Sequence, residues 1–269
     1  MTDTPASPVT CAFVRSDGSL CPGPVEGEGD QCFWHDPKAS KETDDVRRRL
    51  EEWADTGESM EGFVLRFGRL EGLHLSNRPS TVMRNANLFK TRLQGASLWK
   101  LDLTGADLSK ADLAGANLNE SQMVGTNLLG TNFDGSRLER VEWGDKCTNE
   151  LRALEALREG RTEDACAAFE EAEEIYRILR RSYDGAGRFE KVGAFFRREM
   201  TMRRMLMPRW SGARFWSKLV DVFCAYGESP PRVILSAMAV NIVVGCVFFL
   251  CGVNGPDGPL RIDLELGLW

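Results

Sequence analysis

The sequence predicts a multidomain chain: a small N-terminal module, a leucine-cored solenoid, an α-helical hairpin and a single long apolar helix. Three observations predict this order. Large apolar residues recur every fifth position from Leu88 through Leu93, Leu98, Leu103, Leu108, Leu113, Leu118, Met123, Leu128, Phe133 and Leu138 to Trp143. Three cysteines and one of the chain's two histidines fall within residues 11–35, and residues 233–253 carry no charge. Neither a helix, with 3.6 residues per turn, nor a strand, with side chains alternating by two, has a five-residue period. Mostly small residues, such as Ala86, Thr91, Ala96, Ala106, Ala111 and Ala116, precede the large ones by two positions, which makes the core narrow. A repeat this short cannot bury its apolar residue alone, so successive turns must stack. Glycines at positions 95, 105, 115, 125, 130 and 135 follow large residues by two, where the chain must turn.

The words Ala86-Asn87-Leu88, Ala106-Asp107-Leu108, Ala111-Asp112-Leu113 and Ala116-Asn117-Leu118 resemble the pentapeptide-repeat family. The resemblance implies a right-handed quadrilateral β-helix in which four pentapeptides make one coil and the Leu/Phe and Ala columns point inward. The run from Leu88 to Trp143 is then about three coils, a rod of roughly 15 Å. Upstream, Leu65, Leu70 and Leu75 keep the period, but Leu75 to Met83 is eight residues, so the register slips by three. Ser76–Ser80 reads as a loop there, and Leu65–Leu75 as either an imperfect first coil or an amphipathic cap. The array is expected over 63–146, preceded by a charged helical linker over 43–62 that carries Leu50 and Trp53.

Residues 1–42 read as a zinc-binding module. Cys11, Cys21, Cys32 and His35 are separated by nine, ten and two residues, a set of three thiolates and one imidazole suited to tetrahedral Zn2+. Glycines and prolines between the ligands leave too little apolar sequence for a core, so metal would supply the staple. The spacing resembles the plant WRC-type zinc motif, and Cys32-Phe33-Trp34-His35 resembles the closing knuckle of small bacterial zinc modules. That likeness spans residues 11–35, and no DNA binding is carried over from it. Cys246 and Cys251 lie in the apolar run and read as small hydrophobes.

The net charge of −6 gives no general attraction to nucleic acid. Met1–Thr10 has no apolar stretch of the kind found in secretory signals. Helices are expected over 150–158, 163–182 and 189–205, the last two forming an antiparallel hairpin within 147–207. Arg177, Arg180, Arg181, Arg188, Arg197 and Arg198 make the hairpin basic, in keeping with a nearby membrane. Over 208–230, Trp210, Phe215, Trp216, Leu219, Phe223 and Tyr226 alternate with Arg214, Lys218 and Asp221, the pattern of an interfacial amphipathic helix. Arg209, Arg214 and Lys218 would meet anionic headgroups at about 1 kcal/mol each.

Residues 233–253 are then a transmembrane helix, long enough at about 1.5 Å per residue for the hydrocarbon core of a bilayer. Basic residues precede it and only Arg261 follows, which places the N-terminus in the cytoplasm. The chain is expected in the inner cell membrane, single-pass, with its bulk cytoplasmic, its thiols reduced and 254–269 as an extracytoplasmic tail.

Tyr176-Arg177-Ile178-Leu179, Phe196-Arg197-Arg198-Glu199-Met200, Tyr226-Gly227-Glu228-Ser229-Pro230 and Arg232-Val233-Ile234-Leu235 resemble pentapeptide-repeat membrane proteins that continue into a two-helix potassium-channel pore. The Thr-x-Gly-Tyr-Gly filter that such a pore needs and a second span are missing. The expectation is a membrane-anchored cytosolic interaction or regulatory protein, either the sensor part of a potassium-channel-like protein cut ahead of its pore or a single-span protein that keeps only the sensor and anchor. A homo-oligomer follows if it is a channel, and a protein partner on the solenoid is left open.

The alternative is a DNA-mimicking repeat protein that binds DNA gyrase, but Lys90, Arg92, Lys100, Lys110 and Arg137 interrupt the acidic surface. No nucleic-acid partner is expected. No catalytic motif occurs, so no enzyme is expected. Asp102, Asp107 and Asp112 read as a solvated ladder on the outer surface, and His74 as structural.

Overall fold

A computed structural model describes residues 10–25, 29–187, 189–251, 253–255 and 258–260, without the side chains of residues 190, 250, 251, 253–255 and 258–260. These residues divide into two compact units, one ending at Leu206 and the other beginning at Met207.

In the first unit each pentapeptide contributes one residue to a parallel bridge, and its partner lies 20 residues further on: Asn87 with Asp107, Arg92 with Asp112, Ser97 with Asn117, Asp102 with Gln122. Twenty residues are four pentapeptides, so one coil has four sides. The large column is buried, with Leu108, Leu113 and Leu118 at 0% exposure. In the small column Thr91, Thr126 and Thr131 donate to the carbonyls of Leu65, Leu103 and Leu108 at 2.9–3.1 Å, whereas the buried Ser121 hydroxyl has no partner among the described residues.

Leu65, Leu70 and Leu75 belong to a genuine first coil. Val64, Arg69 and His74 bridge to Asn87, Arg92 and Ser97, 23 residues on, whereas Val82 returns to the 20-residue step with Asp102. The three extra residues are the slip between Leu75 and Met83, looped out beside Ala54, whose carbonyl accepts the Ser80 amide at 3.1 Å. With Val64, Asn87, Asp107 and Asn127 on one side, the stack is four coils deep.

The expected right-handed quadrilateral β-helix requires correction. Among the described residues, 63–146 contain no β-strand, and the only strands are a short antiparallel pair, β1 (Val253–Gly255) and β2 (Gly258–Leu260). The regular secondary structure of the chain is mostly helical, and the coils are joined by isolated single-residue bridges. The cause is local. Three residues after each bridge residue from Val64 to Arg137 the backbone takes a positive φ, as at Lys100 (59°), Gly105 (72°), Lys110 (58°) and Gly115 (68°). A chain that enters the left-handed region this often bends before a second residue can pair.

The aspartates also differ from expectation. Asp102, Asp107 and Asp112 lie on successive sides of one coil, since a column up the stack needs steps of 20 residues. Their carboxylates accept from the amides of Thr104, Ser109 and Ala114 at 3.0–3.1 Å, which is the turn-building role of Asn and Asp. Asp102 is 8% exposed and ion-paired to Arg84.

Both ends of the stack are covered. At the start, the Val64 amide donates to the Trp34 carbonyl at 2.7 Å, and α1 (Asp45–Asp55) buries Val46, Leu50 and Ala54. Trp34 lies parallel to Phe63 at 5.1 Å. At the far end stand α2 (Thr148–Arg158), α3 (Thr162–Gly185) and α4 (Phe189–Leu206). The carbonyls of Leu138 and Val141 accept from the Tyr183 hydroxyl (2.9 Å) and Lys191 Nζ (3.1 Å). Thr148 donates to the Gly125 carbonyl. Trp143, predicted as an inward residue, is half-buried and packs edge-on against Phe133, Tyr183 and Phe195.

Helices α3 and α4 run antiparallel, with Arg180 meeting Glu199 at 2.7 Å and Arg203 meeting Glu173 at 3.0 Å. Part of the hairpin's predicted positive character is thus neutralised within it. Phe195 and Met202 are buried, while Phe196 and Met200 are only half-buried.

The second unit holds α5 (Gly212–Cys224) and α6 (Pro230–Cys251). The Ser211 hydroxyl caps α5 by accepting the Arg214 amide at 3.1 Å. Ala225 and Tyr226, at φ 49° and 58°, end it before the predicted boundary. Proline opens α6, where a missing amide costs nothing, so the helix starts three residues before the predicted 233. Ser236 donates to the Phe223 carbonyl at 2.9 Å, and Asn241 satisfies its amide on the Ala237 carbonyl at 2.8 Å. Most of the expected 254–269 tail lies outside the described residues, as does Arg188 of the expected basic set.

Leu108→Ala should lower stability by about 2–5 kcal/mol through the cavity it leaves. Gly115→Ala meets no atom closer than 4.0 Å and should cost only the left-handed backbone penalty, about 1–2 kcal/mol. Denaturant unfolding of the full chain in detergent checks both values and their order.

Candidate metal centre

Cys11 and Cys21 sit on opposite arms of a loop, registered by bonds from the Cys11 amide to the Gly23 carbonyl (3.1 Å) and from the Cys21 amide to the Phe13 carbonyl (3.0 Å). Cys32 and His35 come from one turn, closed by the His35 amide on the Cys32 carbonyl at 3.0 Å. The structure brings all four predicted residues together, buried, with their ligand atoms within 4.8 Å of one another. His35 Nδ1 lies 3.5 Å from Cys11 Sγ and 3.3 Å from Cys32 Sγ, and Cys21 Sγ is 3.9 Å from Cys32 Sγ. Zinc bonded to sulfur at about 2.3 Å and to nitrogen at about 2.0–2.1 Å in a tetrahedron would set these edges at roughly 3.5–3.8 Å. The donor set and its size fit a tetrahedral metal ion.

Residues around the ligands fix their orientation. His35 Nε2 lies 2.9 Å from the Glu61 carbonyl; donating there leaves the Nδ1 lone pair facing the three sulfurs, the outer-sphere arrangement usual for a ligating imidazole. Phe13 stacks on the ring at 3.9 Å. Gly23 donates to Cys21 Sγ at 3.4 Å, and a Cβ there would fall 2.9 Å from Cys32 Sγ and 3.0 Å from its Cβ.

Burial pushes the Cys32 thiol up to about 12 and raises Cys21, while it lowers His35. Dry surroundings therefore favour neutral thiols, and a bound cation is what would draw off their protons. Lys41 is 2% exposed, donates to the Ala39 carbonyl at 2.9 Å and sits 4.1 Å from the Phe33 ring centroid. Burial lowers it to about 8, while Asp36 and Cys32 pull the other way. Three thiolates around a divalent ion leave one negative charge, which this lysine is placed to offset.

The clustering of Cys11, Cys21, Cys32 and His35 was legible from spacing. Gly23, within Cys21-Pro22-Gly23-Pro24, carried a turn signal only. Nothing in the sequence marked Glu61, Phe13 or Lys41, whose roles depend on contacts across the fold. His74 is exposed, its amide held by Glu51 at 2.8 Å, and takes no part in the cluster.

Gly23→Ala should weaken metal binding without altering a ligand. Co2+ titration of the metal-stripped full chain in detergent, read by thiolate-to-metal absorption, checks it. Because thiols raised by burial must lose protons on binding, Co2+ affinity should fall as pH falls.

Residues 102–140 match the model for pentapeptide repeats, in eight copies. Among solved structures, a pentapeptide repeat protein from the cyanobacterium Cyanothece 51142 is 30% identical over 32% of this chain and 56% of its own, with a TM-score of 0.30. One from the Arabidopsis thaliana thylakoid lumen is 26% identical over 40% of this chain and 79% of its own, with a TM-score of 0.20. A third, from Nostoc PCC 7120, is 28% identical over 34% and 74%, with a TM-score of 0.23. The chain thus spans little more than half the length of the first of these. The curated proteins contain no match. The five-residue period, the four-sided coils and the eight matched copies together identify residues 102–140 as a run of pentapeptide repeats.

Proposed function

We propose that the chain is a membrane-anchored interaction or regulatory protein. In this reading its capped coil stack is presented on the cytoplasmic side, and zinc in the Cys11, Cys21, Cys32 and His35 centre staples the cap. The observation that carries the anchoring is α6. It is the one described helix long and apolar enough to cross a membrane, and none of its stretch from Pro230 to Phe249 is buried. Val233, Ile234, Leu235, Ile242, Val247 and Phe249 are all 45–65% exposed, around the whole circumference. A helix apolar on every side finds its solvent in lipid.

In α5, Phe215 and Trp216 are each 63% exposed beside Arg214 and Lys218, which suits a helix lying in the headgroup layer. The basic residues before α6 favour a cytoplasmic N-terminal side. When bound, zinc would cross-link two chain segments that have little core of their own.

A gyrase-binding DNA mimic needs an unbroken acidic face. Here Arg84 pairs with Asp102, and Lys100 and Arg140 flank Glu120 at 3.5 and 3.6 Å. Opposite charges interleave up the stack, which does not favour that reading. The potassium-channel extension likewise draws no support from the matches, which concern the repeats.

Val240→Arg with Val243→Arg places charges mid-helix, at about 2.5–3.5 kcal/mol each on an insertion scale. The wild type should stay with membranes through alkaline carbonate and the double variant should not; a wild type released by carbonate would contradict anchoring. Metal analysis should find one zinc per chain, lost in Cys32→Ser.

A further inference from the structure

Stacking lines up the turns of successive coils in columns, and the columns differ in charge. Bonds from the Phe67 amide to the Phe89 carbonyl, from Lys90 to Ser109 and from Lys110 to Leu129, at 2.8–3.0 Å, define one corner. It carries Arg66-Phe67, Phe89-Lys90, Ser109-Lys110 and Leu129-Gly130. Every charge on it is positive. On another corner Lys100, Glu120 and Arg140 alternate and pair. Here, among the described residues, no carboxylate forms an ion pair with Arg66, Lys90 or Lys110. Asp107, which leads into the corner, is turned instead to the Ser109 amide (3.1 Å) and hydroxyl (2.6 Å).

The arrangement is costly for a free surface. Lys90 and Lys110 occupy one column on adjacent coils, about 4.8 Å apart, and like charges directly opposite destabilise a ladder. Phe67, Lys90 and Lys110 hold φ of 56°, 54° and 58°, a conformation that favours glycine. Phe67 is 41% exposed. The cations are also held in place: Phe67 and Phe89 meet edge to face at 5.6 Å, and Arg66 and Lys90 each lie 5.4–5.7 Å from both ring centroids. Cations fixed over aromatic faces and short of carboxylates form a site for anions.

We propose that this corner docks an acidic amphipathic helix of a partner protein. Carboxylates at i and i+4 on a helix are about 5–6 Å apart, close to the coil spacing, so each can meet the cation of a successive coil. An apolar residue between them packs on the exposed edges of Phe67 and Phe89. The ridge is one turn wide, too narrow to be a surface for flat lipid. A chain of net charge −6 repels a nucleic acid at long range. The inference names the partner class for the interaction role proposed above and is independent of anchoring.

The test uses the full chain in phosphatidylcholine nanodiscs and a fluorescent synthetic helix with Glu at i, i+4 spacing and Leu between, read by anisotropy. The peptide should bind, and its Gln counterpart should not. Lys90→Glu with Lys110→Glu should weaken binding by about tenfold or more, roughly 1.4 kcal/mol, Lys90→Gln with Lys110→Gln by less, and Arg140→Glu not at all, with a cooperative melt showing that each variant is folded at the assay temperature. No binding by the wild type, equal binding by the Gln peptide, or undiminished binding by the charge-reversed variant overturns the proposal. So does displacement by phosphatidylserine vesicles or a single-stranded DNA oligomer at lower concentration than by unlabelled peptide. Failure here with carbonate-resistant membrane association intact would leave the anchored reading standing.

Discussion

A stack of coils joined by single-residue bridges has no strand to protect its ends, and this constraint governs the rest of the molecule. Each pentapeptide bonds to the coil before it and the coil after it, so a terminal coil without a cover would leave a row of amides or carbonyls unmet, and such an edge recruits other chains. The chain meets this at both ends with different materials. At the far end Tyr183, Lys191 and Thr148 bond to the carbonyls of Leu138, Val141 and Gly125. At the near end the cover is a loop-rich module whose Trp34 and Lys41 carbonyls take the amides of Val64 and Arg69.

The near cover lacks an apolar core of its own size, which explains why the cysteine cluster lies where it does. His35 touches the cluster through Nδ1 and the Glu61 carbonyl of the first coil through Nε2, so one ring ties the centre to the stack. Phe13 and Phe63 bracket that ring, and Trp34 lies flat on Phe63. Helix α1 seals the remaining side with Val46, Leu50 and Ala54. The module that carries the Cys/His cluster and a first coil with a three-residue insertion are in this sense one structure.

Much of this was legible because the signals are periodic or chemical. The five-residue column of Leu88 to Leu138 and the ligand spacing of Cys11 to His35 are local patterns with few alternative explanations. The 23-residue bridges of Val64, Arg69 and His74 are the structural form of the slip read between Leu75 and Met83. The expectation of β-strands failed because period and inward-facing pattern say nothing of how many residues pair per side, which the positive φ at Lys100, Lys110 and their equivalents decides. The aspartates were misplaced for a related reason: five-residue recurrence runs around the coil, and only 20-residue recurrence runs up it. Glu61, Lys41 and Tyr183 were invisible, since their roles arise from contacts between segments far apart in sequence.

The account is tested most directly by amide hydrogen exchange across Met60–Leu75 in the full chain, with and without removal of metal by a chelator. Loss of protection confined first to residues 10–42 and 60–75, with the coils of Leu103 to Leu138 still protected, is the predicted result. Protection of Val64, Leu65 and Arg69 that is the same with and without the chelator would contradict the proposal that metal in the Cys/His cluster holds the cover on the open end of the stack.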